Sequence, residues 1–189
     1  MYSFVRFLFK ILFIFIPYKV IGLENIPNSG KIILAGNHKS NLDSPLLVRV
    51  VNRKIHFIAK KELMEGKFRW LFKRLGIIPV DRKSHNNKES LDKAIELLNS
   101  NEVVGIFPEG TFNKTEYIVN PFKIGACYLA KESDAMIIPF AIKGDYKWFR
   151  KKVIIEFGKP YKIIDKNDLR KENITLTNKV IRLLKNESN

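Results

Sequence analysis

A chain of 189 residues carrying 34 lysines and arginines against 19 aspartates and glutamates, a net charge of +15, can bury the core of one α/β domain but is too short for two catalytic domains. That excess of cations implies an anionic partner, whether a phospholipid surface, nucleic acid or a phosphate-bearing substrate, and charge alone does not choose among them. The single cysteine, Cys127, excludes an internal disulfide, and no Cys/His cluster has zinc-site spacing, so the chain reads as cytosol-facing and free of structural metal.

Tyr2 to Ile16 is almost wholly apolar and aromatic, with Phe4, Phe7, Phe9, Phe13 and Phe15, yet Arg6 and Lys10 interrupt it four residues apart on one helical face. A spanning helix needs roughly 20 apolar residues, and Pro17 closes this one too early. A helix lying among lipid headgroups fits better, and no small-residue cleavage site follows that would mark a signal peptide. The reading is therefore a membrane-associating helix over residues 1–20 and a folded domain over 21–189, at the cytoplasmic face of the cell membrane, peripheral or monotopic. A first helix buried in the core is the alternative, and it must hide Arg6 and Lys10.

Beyond the helix, β-rich runs alternate with helical patterns. Lys31 to Ala35, Ile55 to Ala59, Ile77 to Val80, Val103 to Phe107, Met136 to Ile142 and Val153 to Phe157 read as strands. Pro45 to Val51, Lys61 to Leu75, Lys88 to Leu98, Phe122 to Glu132 and Asn167 to Lys185 read as helices. The pattern predicts a single α/β domain with a mixed, mostly parallel sheet flanked by helices. The last two strands, joined without a helix, suit an antiparallel pair.

The first of these strands leads into Asn37-His38-Lys39-Ser40-Asn41-Leu42-Asp43, which sets an imidazole five residues before a carboxylate. A carboxylate bonded to one ring nitrogen fixes the tautomer that leaves the other free to take a proton, so the pair has the makings of a general base and its orienter. Ser40 to Asp43 also matches a capping box, in which Asp43 would only satisfy backbone donors. Pro45 favours a cap at Ser44 instead, with the proline at the first helical position and Asp43 left in the loop to meet His38.

Three later strand ends carry polar groups. Gly76 to Arg82 ends in a carboxylate, Asp81, and a guanidinium suited to bidentate contact with phosphate, although a lone Arg82 is more often a solvated surface charge. Val103 to Thr111 brings Glu109, Gly110 and Thr111 to the end of an apolar strand, where open α/β sheets bind ligands, although Pro108-Glu109-Gly110 also suffices as a plain turn. Pro139, inside a strand pattern, suggests an edge, a bulge or a place where the backbone turns aside.

These four segments, in this order, resemble the motifs of the glycerolipid acyltransferases, particularly the 1-acyl-sn-glycerol-3-phosphate acyltransferases: Asn37 to Asp43 the histidine-four-residues-aspartate motif, Gly76 to Arg82 the second, Phe107 to Thr111 the third and Ile138 to Phe140 the proline motif. Flanking Ile58 to Leu63 and Phe122 to Ala126 are similar to segments of the same enzymes. The resemblance covers about Gly22 to Gly144. It implies transfer of an acyl group from acyl-CoA or acyl-carrier-protein, as co-substrate without cofactor or metal, to the free hydroxyl of 1-acyl-glycerol-3-phosphate, giving phosphatidic acid. It further implies His38 and Asp43 as catalytic residues, and Lys60, Arg82, Glu109, Gly110 and Thr111 as substrate-binding residues. The expected partners are a lysophospholipid acceptor, an acyl thioester donor and an anionic membrane surface, with no nucleic acid. One departure stands out: Phe112 occupies the position where the family usually has arginine, with Lys114 two residues on, which keeps other lysophospholipids open as acceptors.

Two rival readings come from other classes. A non-enzymatic basic module for anionic lipid or nucleic acid draws on the net charge and on Arg150, Lys151 and Lys152 beside Trp148 and Phe149, but leaves the His38 and Asp43 series unexplained. A serine hydrolase using Ser40 or Ser44 lacks the Gly-x-Ser-x-Gly elbow.

Overall fold

The structure, a computed structural model, describes residues 2–67, 69–81, 87–149 and 152–186. In chain order it forms α1 (Tyr2–Phe15), β1 (Tyr18–Ile21), β2 (Ile32–Gly36), α2 (Asp43–Val50), β3 (Ile55–Lys60), α3 (Arg69–Leu75), β4 (Ile78–Val80), α4 (Lys88–Asn99), β5 (Val103–Ile106), α5 (Gly125–Ser133), β6 (Met136–Lys143), β7 (Val153–Phe157) and α6 (Leu169–Lys185). The described strands make one sheet in the order β1-β7-β6-β2-β5-β3-β4. Every neighbouring pair is parallel except β6 and β7, whose helix-free connection permits an antiparallel return.

Both faces of the sheet are covered, which is why β2 is buried at every position instead of alternating with polar residues. Ile32 and Leu34 join Phe13, Ile16, Leu46 and Leu47 on the face covered by α1 and α2. Ile33 and Ala35 point the other way, towards Leu98 of α4, Leu129 of α5 and Val180 of α6. The result is a three-layer α/β domain with the sheet in the middle.

Helix α1 belongs to that core and also faces away from it. Val5, Phe13 and the following Ile16 are buried, a contribution of roughly 1.5–3 kcal/mol for each large side chain taken fully from water. Arg6 turns back to the domain and donates to Asn52 Oδ1 at 2.5 Å. On the opposite face Phe4, Phe7, Leu8, Ile11 and Ile14 are exposed, at the spacing of one helical stripe, with Lys10 also exposed beside them. No helix among the described residues is long and apolar enough to cross a membrane.

Four local expectations are corrected. Strand β1 is an addition: Tyr18–Ile21 pairs with β7, Tyr18 against Val153, a partner too distant in sequence to leave a local signal. The expected helix over Lys61 to Leu75 is split into a 3-10 turn, Lys61–Met64, and α3, with Gly66 between them, where glycine's backbone entropy weakens a helix. Helix α2 starts at Asp43, not after a Ser44 cap; Leu42 holds the cap position and Pro45 is the third helical residue, whose N–H would have no intrahelical partner in any case. Pro139 lies inside the sheet, paired with Ala35, and the β6–β7 ladder begins only at Phe140 and Phe157, so the missing donor falls where β7 has ended. There the Pro139 carbonyl accepts the Gly158 N–H at 2.8 Å.

Because β2, β3, β4, β5 and β6 run in one direction, their C-terminal ends collect along a single edge of the sheet. Open parallel sheets place ligands at that edge.

Candidate active site

The histidine loop leaves β2 through Asn37, whose buried side chain continues the ladder to β6. Its amide donates to the Ile142 carbonyl at 3.0 Å and its Oδ1 accepts the Ile142 N–H at 2.7 Å. Just before it, Gly36 admits close contact, since a Cβ there would lie 2.2 Å from the Phe140 carbonyl oxygen. The chain is thereby fixed on both sides as it delivers His38.

His38 Nδ1 stands 2.8 Å from Asp43 Oδ2, and the Asp43 side chain is fully buried. The same oxygen accepts the backbone N–H of Lys39 at 2.7 Å and of Ser40 at 2.8 Å, while Oδ1 accepts the Tyr146 hydroxyl at 2.8 Å. Four donors suit an ionised carboxylate, which accepts only and has about four lone-pair sites. The two readings of this loop therefore merge: Asp43 reaches back to backbone donors as a capping residue would, and it also holds the imidazole. A carboxylate on Nδ1 places the proton there and leaves Nε2 as the acceptor.

Aromatic rings clamp the imidazole. Phe107 stacks on it with centroids 3.9 Å apart and planes 16° from parallel, and Phe112 meets it edge-on at 4.4 Å. The Phe112 ring thus touches the histidine at the position where the resembled family usually carries an arginine.

Glu109 joins the histidine loop to the loop after β5. It is buried, with Oε1 accepting the His38 N–H at 2.8 Å and Oε2 accepting the Asn120 N–H at 2.7 Å. The Asn113 N–H in turn donates to the His38 carbonyl at 2.9 Å. Burial pushes the Glu109 carboxyl up from the ordinary range, opposed by the two backbone donors and by His38. Gly110 follows at φ 70°, a left-handed turn that favours glycine, and the Lys123 side chain lies across it, its Nζ 3.1 Å from where a Cβ would stand.

The remaining expected site residues are placed by the sheet. Thr111 is exposed on the same loop as Glu109, and Lys60 is exposed at the C-terminal end of β3. With neighbouring strands about 4.8 Å apart, β3 lies about 10 Å from β2, on the far side of β5. Arg82 lies outside the described residues, two positions past β4, as do Arg150 and Lys151. Sequence reading missed Tyr146, Phe107 and Lys123 as parts of this site. Phe107, at the start of the third motif-like segment, and Lys123, in a flanking one, carried a signal; Tyr146 carried none. A cavity of about 820 Å³ beside β4 and α4, lined in part by Lys61, Asp81 and Lys93, does not include His38, Asp43 or Glu109. Among the described residues, no group of three or more His, Cys, Asp or Glu side chains is arranged to hold a metal ion.

The sequence profile described as Acyltransferase matches residues 17–143, which take in the paired histidine and aspartate, the Glu109 turn and all but one of the strands. The chain belongs to the acyltransferase family. This acyltransferase-family chain is 35% identical over 128 residues to the 1-acyl-sn-glycerol-3-phosphate acyltransferase of Bacillus subtilis (strain 168), covering 67% of the chain and 62% of that relative. To the human 1-acyl-sn-glycerol-3-phosphate acyltransferase alpha it is 32% identical over 143 residues, 72% of the chain and 49% of the relative. The chain thus spans between about half and three-fifths of the length of these two relatives. Its fold is shared with the crystal structure of the 1-acyl-sn-glycerophosphate (LPA) acyltransferase from Thermotoga maritima, with a TM-score of 0.78 at 24% identity over 98% of this chain and 79% of that one.

Proposed function

We propose that the chain transfers a fatty acyl group from an acyl thioester to the free hydroxyl of 1-acyl-glycerol-3-phosphate, giving phosphatidic acid. The observation that carries this reading is the buried Asp43 carboxylate on His38 Nδ1, at 2.8 Å, which leaves Nε2 available to a substrate hydroxyl at the ligand-binding edge of the sheet. The names of the relatives supply the acceptor.

In the proposed step Nε2 takes the proton of the acceptor hydroxyl as its oxygen attacks the thioester carbonyl, and Asp43 stabilises the imidazolium that forms. The tetrahedral intermediate then expels the thiolate, which recovers the proton from His38. The products are a new ester and the free thiol of coenzyme A or acyl-carrier-protein. The thioester is already activated and the acceptor brings the nucleophile, so the chemistry requires neither an acyl-enzyme nor a cofactor. Glu109 acts as a positioning residue, since its oxygens serve backbone N–H groups. Lys60, Thr111 and Lys123 would supply polar and cationic contacts for the acceptor phosphate from the same edge, and Arg82 is a further contact that the resemblance implies.

The domain would sit on the cytoplasmic surface of the membrane through the exposed stripe of α1, extended by Trp148 and Phe149, which contact Phe15 with ring centroids 6.2 and 5.7 Å away. An apolar patch on a strongly basic chain suits an anionic lipid surface. Residues 1–20 then serve as the anchoring segment and 21–189 as the catalytic part. A second reading, another lysophospholipid as acceptor, is favoured by Phe112, which packs on His38 and brings no charge to the phosphate.

The test is purified protein with acyl-CoA or acyl-carrier-protein and a panel of lysophosphatidate, lysophosphatidylcholine and glycerol 3-phosphate. Lysophosphatidate turnover that falls by about 10²–10⁴ in His38→Ala, with liposome binding intact, supports the reading. Undiminished turnover in that variant refutes the mechanism, and turnover of a different acceptor replaces the substrate.

A further inference from the structure

Tyr146 is 103 residues from Asp43 in sequence, yet its hydroxyl lies 2.8 Å from Asp43 Oδ1. Every other side-chain or backbone donor recorded for this carboxylate among the described residues goes to Oδ2, namely His38 Nδ1 and the N–H groups of Lys39 and Ser40. Without the phenol, Oδ1 would face the protein interior with no donor. The carboxylate would then be held through Oδ2 alone, with more of its charge left to the imidazole.

The segment that carries Tyr146 is tied down on both sides. The Lys39 ammonium donates to the Gly144 carbonyl and lies 3.4 Å from Asp145, so the histidine loop itself grips the start of the segment. At its other end the Phe149 N–H donates to the Phe15 carbonyl at 2.9 Å, at the end of α1. The tyrosine ring packs against the core cluster on that face of the sheet. Burial first, and then the neighbouring Asp43 charge, push the phenol far above its ordinary range, so it stays protonated and can only donate to the carboxylate.

We infer that Tyr146 is a positioning residue for acyl transfer: its hydroxyl anchors the second oxygen of the Asp43 carboxylate, fixing the plane of the group that meets His38, and draws charge away from the imidazole. The inference rests on the reading of His38 as the general base. Besides Asp43, the groups that meet the histidine are Glu109 and the Asn113 N–H, through the His38 backbone, and the rings of Phe107 and Phe112. Lys39 and Asp145 lie on the segments that join Tyr146 to the loop. Tyr146→Phe removes none of these groups.

The experiment is Tyr146→Phe in the full chain, with kcat and KM for lysophosphatidate and acyl-CoA measured across pH, together with the downfield proton resonance of His38 Nδ1–H. The expected result is a kcat about tenfold lower with KM within about twofold, the pattern of an interaction used in the transition state. The acid limb of kcat/KM moves to higher pH, because a carboxylate stripped of a donor holds the imidazolium proton more strongly. The Nδ1–H resonance shifts as well. A variant with lowered thermal stability but unchanged kcat, acid limb and resonance shows Tyr146 to be structural only and overturns the inference. If the wild type acylates no acceptor, the acyl-transfer reading fails, and the resonance still decides whether Tyr146 tunes the pair.

Discussion

Phe112 meets the His38 imidazole edge-on at 4.4 Å and, with Phe107 stacked at 3.9 Å, confines the ring between two aromatic side chains. Phe112→Arg exchanges that contact for a planar cation at the mouth of the site. The expected result is a KM for lysophosphatidate lowered about threefold to tenfold, through one added charge-assisted contact, with a reduced kcat because the imidazole loses a wall. KM for a lysophospholipid whose phosphate is already esterified should change less. Steady-state kinetics on the two acceptors checks both halves.

Glu109 holds the backbone N–H groups of His38 and Asn120 with separate oxygens. Glutamine keeps the shape but turns an amide NH₂ towards one of those donors, leaving two buried donors facing each other. Glu109→Gln should lower stability by about 1–3 kcal/mol and kcat by about tenfold, as His38 loses its placement. Denaturant unfolding and kcat in the folded range separate the two effects.

His56 is buried, with Nδ1 3.0 Å from the Gly76 carbonyl oxygen. Burial is the largest influence and pulls its pKa down, supported by Lys54 and Lys93 and opposed by the Gly76 bond and Glu102. The folded value therefore lies below the unfolded one of about 6.5, and the unfolded chain binds more protons between them. This contribution to stability is complete above about pH 6.5 and is lost as pH falls through the folded value. His56→Gln should show a smaller fall in melting temperature between about pH 8 and pH 5 than the wild type, whatever its starting stability.

Cys127 is fully buried on α5, and burial, with a smaller effect of Glu172, pushes its thiol up to about 12. The thiolate is the reactive form, so iodoacetamide should label the denatured chain and spare the native one. Cys127→Ala should leave acyl transfer essentially unchanged. A large loss of turnover in a well-folded variant would give the thiol a role that the proposed mechanism lacks.

The exposed stripe of α1 makes a separate prediction about lipid. Replacing Phe7 or Ile11 with glutamate leaves Val5 and Phe13 buried, so the fold should persist while binding to anionic liposomes falls about tenfold or more, the equivalent of losing roughly 1.5–3 kcal/mol of apolar burial and adding a repulsive charge. Sedimentation with vesicles of anionic lipid measures it. Equal binding by variant and wild type would place the lipid contact elsewhere.

The central strands were legible because continuous apolar runs such as Ile32 to Ala35 have no other stable home than a sheet covered on both faces. The contact between His38 and Asp43 was legible locally as well, since only four residues separate the two side chains. What escaped reading depends on partners far away in the chain. Strand β1 exists because β7 offers it an edge, and Tyr146 reaches Asp43 only after β6 is laid beside β2. Glu109 was visible as a carboxylate at a strand end, but its partners are backbone N–H groups, which every residue but proline has and no sequence pattern marks. The start of α2 was misplaced because proline is tolerated throughout the first helical turn, so Pro45 narrowed the boundary without fixing it.

Helix α1 passes through Ile16 and Pro17 straight into β1, the edge strand paired with β7. An anchor built this way has no tether on which to swivel. If the outer stripe of α1 rests in lipid, the sheet edge that carries His38 acquires a fixed height and tilt above the bilayer. Under the proposed reaction, the depth at which an acceptor hydroxyl floats among the headgroups then becomes a property the domain can select on, much as a ruler selects by length. Inserting a flexible Gly-Ser segment between Ile16 and Tyr18 should remove that selection while leaving the chemistry in place.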